Sequence, residues 1–308
     1  MPCATQPISF AADLVAAYEA LAAPIAGRVI GSISGDLPNL ADAAGNMLAG
    51  ELIADAQLAA ISAAPFGGAV VAFMNPGGVR SPGFTHRSSN AGEGDGIVTY
   101  GEAFTVQPFG NSLVTVTLTS KQLKDVLEQQ FAGCLGQTTT RILIPSRGLK
   151  YTWNSAMTCG NRITGLRLVD DEGAVIEQIL DASGVLSGPQ KSYRVTINSF
   201  LATGGDGFTT FAAGTDPLGG ALDIDALARF LVAYKPPLSP YDPASAALLR
   251  PRVARINSIA LHSGRVFLAA GDARIVALDA RTGKVAWKRA GRRLQRRLQL
   301  GVPSENGI

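Results

Sequence analysis

Histidine and cysteine are both scarce in this chain. Of its 308 residues, two are histidine (His86 and His262) and three are cysteine. No HxxE, HExxH or CxxC spacing occurs, so the usual zinc-binding patterns are missing. We therefore expect both histidines to be surface residues and the chain to hold no metal cofactor of its own.

Charged residues are also few, and the basic ones are unevenly placed. They make up 17% of the chain, whereas hydrophobic residues make up 46%, as in a well-packed globular protein. The net charge is +3. Ten Lys or Arg but three Asp or Glu lie after residue 257, so the residues before it are acidic on balance. Because a phosphate backbone requires a basic face, the body is not expected to bind nucleic acid.

Long apolar runs are missing as well. No run reaches the roughly 18 residues that predict a membrane span, and residues 1–10 lack the basic and apolar regions of a signal peptide. The sequence therefore does not identify the cellular compartment. Cys134 and Cys159 flank two predicted strands and either form a disulfide, which would imply an oxidising compartment, or stay reduced. Cys3 would be spare.

Helix and strand patterns are mixed along the chain without a repeated strand–helix order. Helices are predicted at 9–23 (capped by Ser9 and ended by Pro24), 50–64, 119–131 (opened by a Thr119/Gln122 capping box) and 223–234. Strands are predicted at 29–33, 69–74, 113–118, 141–144, 150–154, 163–169, 193–199 and 250–256. Residues 36–45 and 81–96 read as polar loops. The mixture predicts an α+β fold of layered sheets and helices.

The most informative stretch is 193–208. Val195 and Ile197 alternate with polar neighbours, as in a half-buried strand. This strand runs into a turn with three glycines, which lets a backbone approach a ligand closely. Phe200 offers a flat aromatic face before the turn, and Asp206 within it can accept hydrogen bonds from vicinal hydroxyls. The stretch suits a nucleoside, although a glycine-rich strand exit with an exposed Asp is an equal alternative.

Five segments follow one another in an order that is typical of one family. They are Gly50-Glu-Leu-Ile-Ala-Asp-Ala, Asn75-Pro-Gly-Gly-Val-Arg80, Val106-Gln-Pro-Phe109-Gly-Asn111, Ser146-Arg-Gly148-Leu-Lys-Tyr and Asn198-Ser-Phe200-Leu-Ala-Thr-Gly-Gly-Asp206-Gly-Phe. Over residues 28–257 they resemble the C-terminal, substrate-binding domain of the 5′-nucleotidase / UDP-sugar hydrolase family. Residues 1–27 resemble its interdomain helix. The resemblance implies a layered α/β/β/α domain.

The resemblance also implies a nucleotide or nucleoside ligand. Phe109 and Phe200 match the two rings between which the family holds the base, so we expect them to face each other across a cleft. Asn111 matches an amide that meets the edge of the base. Asp206 matches the carboxylate that accepts the ribose hydroxyls. A plain alternative is that Phe109 is simply a core residue.

Three more residues are assigned by the same resemblance. Arg80 matches the cation that reaches the phosphate, and Asn75 lies beside it at the mouth of the catalytic cleft. Gly148 matches a glycine whose backbone lines the base pocket. Arg80 in a surface ion pair and Asn75 capping a turn are the alternatives.

One part of the family's enzymes has no counterpart in these segments. The family holds two divalent metals in a separate N-terminal metallophosphatase domain, where they activate water, and nothing in this chain resembles it. We expect the chain to be the nucleotide-binding specificity domain of a 5′-nucleotidase-type phosphohydrolase. It would be inactive alone and completed by a separate metallophosphatase domain or chain. The alternatives are a stand-alone nucleotide-binding module and a fused gene fragment without catalysis.

The last segment, 258–308, differs from the body. Its pattern of strand, turn, strand, turn and strand, ending in Ala-Leu-Asp279-Ala-Arg-Thr-Gly-Lys-Val-Ala-Trp287, resembles a single repeat of a quinoprotein (PQQ) β-propeller. Propellers close with about 4–8 blades, so we expect the segment either to pack as a hairpin on the body or to stay free. The basic run at 288–297 predicts a solvated helix or a disordered end.

Overall fold

The computed structural model describes residues 7–88, 93–181, 183–243, 252–262, 265–270, 274–279, 281–282 and 284–290. Its α-helices are α1 (Pro7–Ala26), α2 (Leu48–Ile61), α3 (Tyr100–Val106), α4 (Ser120–Glu128), α5 (Ser199–Ala202), α6 (Thr209–Ala212) and α7 (Asp223–Leu231). The strands of the first half are β1 (Val29–Ser32), β2 (Leu37–Pro38), β3 (Val71–Met74), β4 (Gly83–Phe84), β5 (Ile97–Thr99), β6 (Ser112–Thr119), β7 (Ile144–Pro145) and β8 (Leu149–Trp153). Those of the second half are β9 (Ile163–Val169), β10 (Val175–Leu180), β11 (Ser192–Asn198), β12 (Thr215–Leu222), β13 (Val253–His262), β14 (Arg265–Ala270), β15 (Arg274–Asp279) and β16 (Val285–Ala290).

A five-stranded sheet in the order β12-β6-β11-β3-β7 organises the body. Its neighbours β11 and β3 are parallel, with Val195 opposite Val71, so their carboxyl ends lie at the same edge. Strand β6 is antiparallel to β11 and begins at that edge, because Leu113 pairs with Asn198. The segments after β3, after β11 and before β6 therefore meet there.

Both faces of this sheet are covered. Val71 and Phe73 contribute to a core shared with α4 and strands β8 to β10. Met74, from the opposite face, joins a second core with α2, α3 and α7. All four residues of β3 are consequently buried, as in strands with layers on both sides. The predicted mixed fold of layered sheets and helices is confirmed.

A second sheet of seven strands, β10-β9-β8-β13-β14-β15-β16, joins the body to the C-terminal segment. Strand β13 crosses the predicted boundary at residue 257. Its start pairs in parallel with β8, where Val253 lies opposite Tyr151, and its later residues pair antiparallel with β14. Strands β14 to β16 then form an antiparallel meander, so the segment extends the sheet of the body. Cys3 and most of the basic run at 288–297 lie outside the described residues.

A buried arginine fixes the start of β13 to α2. Arg252 is 1% exposed, and its Nη1 and Nη2 donate to the two carboxylate oxygens of Asp55, each at 2.7 Å. Glu51 Oε2 lies 3.7 Å from its Nε. A buried charge is tolerated when it is paired in this way, so the cluster acts as a fixed anchor between the two parts of the chain.

The first helix differs from its prediction. It begins at Pro7 and ends at Ala26, so Ser9 lies inside it instead of capping it, and Pro24 does not end it. Pro24 cannot donate a backbone hydrogen bond and its ring crowds the carbonyl of Ala20, but the helix continues past it to Ala26, and Gly27 N bonds to Ala23 O at 2.9 Å. Within the described part of the chain no helix combines the length and the apolar character needed to cross a membrane.

Several other elements also depart from the predictions. Helix α3 and strands β10 and β12 were not expected, and the two predicted polar loops contain the paired strands β2 and β4. The capping box that opens α4 is confirmed, since Thr119 and Gln122 exchange both bonds. Of the two alternatives for Cys134 and Cys159, the disulfide is present. It joins the loop after α4 to the loop between β8 and β9.

Candidate ligand-binding site

A cavity of about 490 Å³ lies at the sheet edge where β3 and β11 end. It is lined by Asn75, Gly77, Gly78, Arg80, Phe109, Asn111, Asn198, Phe200 and Asp206. Six of the seven residues assigned from the sequence are in this set, although they come from three distant segments. The parallel pairing of β3 with β11 and the antiparallel pairing with β6 bring these segments together.

Two exposed aromatic rings line the cavity. Phe109 lies in the turn between α3 and β6 and is 53% exposed, and Phe200 is the second residue of α5 and is 44% exposed. Phe109 is thus not a core residue. Exposed rings leave apolar surface in water, and flat ligands bury such surface by stacking on it. We call Arg80, Phe109 and Phe200 the cavity rim.

Gly205 is required by the packing of Phe200. A Cβ at this position would lie 2.5 Å from the carbonyl oxygen of Phe200 and 2.6 Å from its ring atoms Cδ1 and Cε1. Real Cβ atoms do not approach so closely, so the ring rests directly on the backbone of the glycine turn. The turn therefore sets the position of the ring as well as that of Asp206.

Below the rim lies a chain of polar side chains, which we call the cavity floor: the buried Asn75 and Asn198 and the half-buried Asp206. Asn198 Nδ2 donates to Asn75 Oδ1 at 3.0 Å, and Asn75 Nδ2 donates to Asp206 Oδ2 at 2.8 Å. Asn198 Oδ1 also accepts from Leu201 N at 2.9 Å and caps α5. The side chain of Asn75 makes no cap bond to the turn that follows it. Its amide instead orients the carboxylate of Asp206.

Asp206 adopts an unusual backbone conformation, with φ 55° and ψ 16°. This left-handed region is disfavoured for residues with a Cβ. Gln137 Nε2 donates to its carbonyl oxygen at 2.8 Å, and Arg141 Nε lies 3.4 Å from its Oδ1. Sequence reasoning missed both partners, because 69 positions separate Gln137 from Asp206 and nothing local marks the pair.

Arg80, the third residue of the rim, lies over the Phe109 ring. Its guanidinium lies 5.3 Å from the centre of the Phe109 ring, and its Nη1 is 3.4 Å from Gly77 O. Within the described ranges these contacts involve a ring and a carbonyl, not a carboxylate, so the surface ion pair is not observed. The exposed cation is available to an anionic group at the mouth of the cavity.

Asn111 is tied to the start of α7. Its Oδ1 accepts from Ser199 Oγ at 3.2 Å, and its backbone oxygen accepts from Asp223 N at 2.8 Å. Burial raises the pKa of the Asp223 carboxyl, while the backbone N–H of Ile224 and the side chain of Asn111 oppose that rise. Asp223 is 1% exposed and therefore forms a buried support beneath the Asn111 turn.

Gly148 is not among the residues that line the cavity. It lies in the turn between β7 and β8, where its carbonyl accepts from Val169 N at 2.8 Å. Strand β7 runs antiparallel to β3, with Pro145 opposite Phe73, so the chain leads from β7 away from the carboxyl end of β3. The topology therefore does not bring Gly148 to the other six residues.

The residues whose positions are described do not suit a metal pair. No three His, Cys, Asp or Glu side chains among them converge to hold an ion. The cavity lining contains a single carboxylate, Asp206, and no histidine. His86 is half-buried and its backbone N–H donates to Asp36 Oδ1 at 2.7 Å. The side chain of His262 lies outside the described part.

Comparisons with known proteins identify the family of the chain. Residues 29–213 match the family model described as 5′-nucleotidase, C-terminal domain. The match covers more than half of the chain and includes every residue of the rim and floor. The chain belongs to the 5′-nucleotidase C-terminal domain family.

Three similar proteins show how much of a longer relative this chain spans. It is 25% identical to the Endonuclease YhcR of Bacillus subtilis over 236 residues, which are 76% of this chain and 16% of that protein. It is 27% identical to the Probable 5′-nucleotidase of Treponema pallidum over 226 residues, 70% of this chain and 35% of that one. A 5′-nucleotidase precursor from Thermus thermophilus matches in structure with a TM-score of 0.57 and 26% identity, over 73% of this chain and 40% of that one. The chain thus spans less than half of each relative.

Proposed function

We propose that this chain binds a nucleotide or nucleoside and serves as the substrate-binding part of a 5′-nucleotidase-type phosphohydrolase. The observation that carries the proposal is the convergence of two exposed rings and one carboxylate on a single cavity. Its volume of about 490 Å³ lies within the range of small-molecule sites. The names of two similar proteins, a probable 5′-nucleotidase and a 5′-nucleotidase precursor, point to the same class of ligand.

Each part of a nucleotide has a partner in this arrangement. The base would stack between Phe109 and Phe200, because aromatic rings accept any base on their faces. The ribose hydroxyls would donate to Asp206, whose carboxylate has about four acceptor positions. Asn75 uses one of them, and Arg141 forms an ion pair with the other oxygen. The phosphate would extend toward Arg80, since a guanidinium matches phosphate oxygens in a fork.

Hydrolysis is assigned to another domain or chain. The two divalent metals that the family resemblance implies would activate water, and the described residues do not fit them. We therefore assign no hydrolytic step to these residues. A metallophosphatase domain or chain would supply the metals and meet the phosphate at the mouth of the cavity.

We also propose that the C-terminal meander corresponds to one quinoprotein-type repeat. The support is the order of β13, β14, β15 and β16, which are successive antiparallel neighbours. A propeller blade is a four-stranded antiparallel sheet. The repeat would have no quinone site, and its role would be to extend the second sheet.

Calorimetric titration with adenosine 5′-monophosphate tests the binding proposal. Phe109→Ala and Phe200→Ala should each weaken binding by about 5- to 150-fold, because stacking contributes about 1–3 kcal/mol per base. Phe104→Ala is the control, since Phe104 is 49% exposed on α3 but does not line the cavity. Affinity unchanged in both cavity variants would refute the proposed site.

A phosphate-release assay on the same sample tests the catalytic assignment. With Mn²⁺ or Zn²⁺ added, the pure chain should release no phosphate, because metal-activated water needs a set of ligands. Metal-dependent release by the pure chain would overturn this part of the proposal.

A further inference from the structure

We propose that the segment 129–141, here called the anchoring loop, holds Asp206 in the conformation that recognises ribose hydroxyls. Gln137 and Arg141 are its positioning residues. The inference rests on the proposed nucleotide site and adds residues that are not part of the cavity lining. It also links the Cys134–Cys159 disulfide to ligand selectivity.

The backbone of Asp206 needs support from outside its own turn. A φ of 55° is uncommon for a residue with a Cβ, although Asp is among the residues that adopt it most readily, and contacts from outside the turn stabilise it. Gln137 Nε2 donates to the Asp206 carbonyl oxygen at 2.8 Å, and Gln137 is 4% exposed. A Cβ on Gly207 would lie only 3.0–3.2 Å from the Gln137 amide. The amide is thus packed directly against the turn that carries Asp206.

The orientation of the Gln137 amide is itself fixed. Its Oε1 accepts from Arg141 Nη1 at 3.2 Å and from Thr138 N at 3.1 Å. The oxygen is therefore committed to the anchoring loop, which leaves the NH₂ group to face Asp206. Because both partners of the oxygen are donors, a flipped amide would lose these bonds.

The carboxylate of Asp206 is held from two sides. Asn75 Nδ2 donates to Oδ2 at 2.8 Å, and Arg141 Nε lies 3.4 Å from Oδ1. A hydrogen bond to one oxygen and an ion pair to the other hold the carboxylate in place. The remaining lone pairs then point in set directions, as recognition of two adjacent hydroxyls requires.

The anchoring loop is attached to the body at several points. Gln129 Nε2 donates to Thr209 Oγ1 at 2.8 Å, and its Oε1 accepts from Thr210 N at 3.1 Å. The disulfide ties Cys134 to Cys159. Gln137 N donates to Cys134 O at 2.9 Å, so the turn that presents Gln137 starts at the disulfide. A fixed loop can transmit a fixed position to Asp206.

This role makes a specific prediction about sugars. Arg141 acts on the carboxylate of Asp206 and not on the rings, so its loss should weaken hydroxyl recognition and leave base stacking unchanged. Gln137 supports the turn on which the Phe200 ring also rests, so its loss should weaken hydroxyl recognition and, to a smaller extent, base stacking. The informative quantity is the affinity for adenosine divided by that for 2′,3′-dideoxyadenosine. A purely structural role would lower both affinities together and leave this ratio unchanged.

Calorimetric titration of the full chain with both nucleosides tests the inference. The wild type should bind adenosine about tenfold more tightly than the dideoxy analogue, as expected for hydrogen bonds to a charged group. Arg141→Met should bring the ratio near one with dideoxyadenosine binding retained, and Gln137→Met should lower the ratio and also weaken dideoxyadenosine binding to a smaller extent. Arg141→Lys should recover part of the ratio. Arg229→Met, which removes an exposed arginine on α7, is the control and should keep the wild-type ratio.

The outcomes separate this inference from the proposed function. If the wild type discriminates and both methionine variants keep the full ratio, the anchoring role is wrong while the nucleotide site stands. If the wild type binds neither nucleoside, both fail. Should Gln137→Met not fold, Arg141→Met still decides, because the Arg141 side chain is 31% exposed. The pair Cys134→Ser and Cys159→Ser should lower the ratio as well, and an unchanged ratio there would exclude the disulfide from the mechanism.

Discussion

The rim and the floor line the same cavity, but they differ in exposure and in the number of hydrogen bonds that hold their side chains. Phe109 and Phe200 are about half exposed, and the contacts of Arg80 within the described ranges are with the Phe109 ring and the Gly77 carbonyl. Asn75 and Asn198 are 3% and 1% exposed and belong to a continuous chain of hydrogen bonds that ends at Asp206. The rim therefore has side chains that can adapt to a ligand, whereas the floor is fixed before any ligand arrives.

This difference separates two kinds of recognition. Stacking on a ring tolerates small shifts and different bases, because every base has a flat face. Hydroxyl recognition needs acceptors in set positions, and a hydrogen-bonded network anchored by buried side chains provides them. We therefore expect substitutions in the floor to lower stability and binding together, and substitutions in the rim to lower binding alone.

The largest effect on stability is expected for Asn198→Ala. It removes the cap of α5 and the donor to Asn75 Oδ1. Loss of a cap and an unsatisfied buried acceptor together should lower the free energy of unfolding by about 2–4 kcal/mol. Phe109→Ala should change it by less than about 0.5 kcal/mol. Urea unfolding of both variants measures the contrast, and equal losses would remove the distinction between floor and rim.

The next effect concerns the turn that supports Phe200. Gly205→Ala places a Cβ 2.5–2.6 Å from Phe200 atoms, so the ring must move and binding of adenosine 5′-monophosphate should fall by at least about tenfold. Gly219→Ala meets no atom within 4 Å and should leave binding unchanged. Calorimetric titration of both alanine variants with adenosine 5′-monophosphate measures the two affinities. Identical affinities would show that the ring position does not matter.

A smaller effect is expected at the exposed cation of the rim. Arg80→Ala should weaken binding of adenosine 5′-monophosphate by about fivefold and leave adenosine binding unchanged, because an exposed ion pair contributes at most about 1 kcal/mol. The difference between the two ligands should shrink as salt is added. Titrations at low and high salt measure it, and an equal loss for adenosine would contradict a phosphate role.

The smallest expected effect is a pH dependence of the free energy of unfolding, caused by the buried carboxyl of Asp223 next to Asn111. Burial raises the pKa of Asp223 in the folded state, so the folded state retains a proton that the unfolded chain releases above about pH 4. The stability of the wild type relative to Asp223→Asn should therefore fall as the pH rises above about 4, and level off above the folded pKa. Urea unfolding of both proteins between pH 4 and 7 tests the sign. A relative stability that rises over this range would contradict the burial argument.

Four residues of the cavity could be assigned from the sequence because the family resemblance rests on the short motifs that contain them. Phe109, Asn111, Phe200 and Asp206 stand next to glycine turns at strand ends, and the sheet topology then places them at one edge. Their roles in binding remain predictions. Gln137 and Arg141 were not predictable, since their contacts with Asp206 span large sequence distances and depend on how the anchoring loop folds back.

The missed strands and helix have different physical reasons. Strand β12 contains Pro217, Gly219 and Gly220 and is exposed along most of its length, and such residues are tolerated because it lies at a sheet edge. Strand β10 also lies at an edge and has two exposed apolar residues at its start. Helix α3 could have been found, because Thr99 and Glu102 form a capping box with the same spacing that identified α4.

The most direct test of the rim and floor account is an NMR measurement on the chain bound to adenosine 5′-monophosphate. Nuclear Overhauser effects between protons less than about 5 Å apart should connect the adenine ring to both Phe109 and Phe200, because stacked rings lie within that range. The ribose protons should show none to these rings and should lie toward Asp206. Contacts from the base to a single ring, or to neither, would contradict the account.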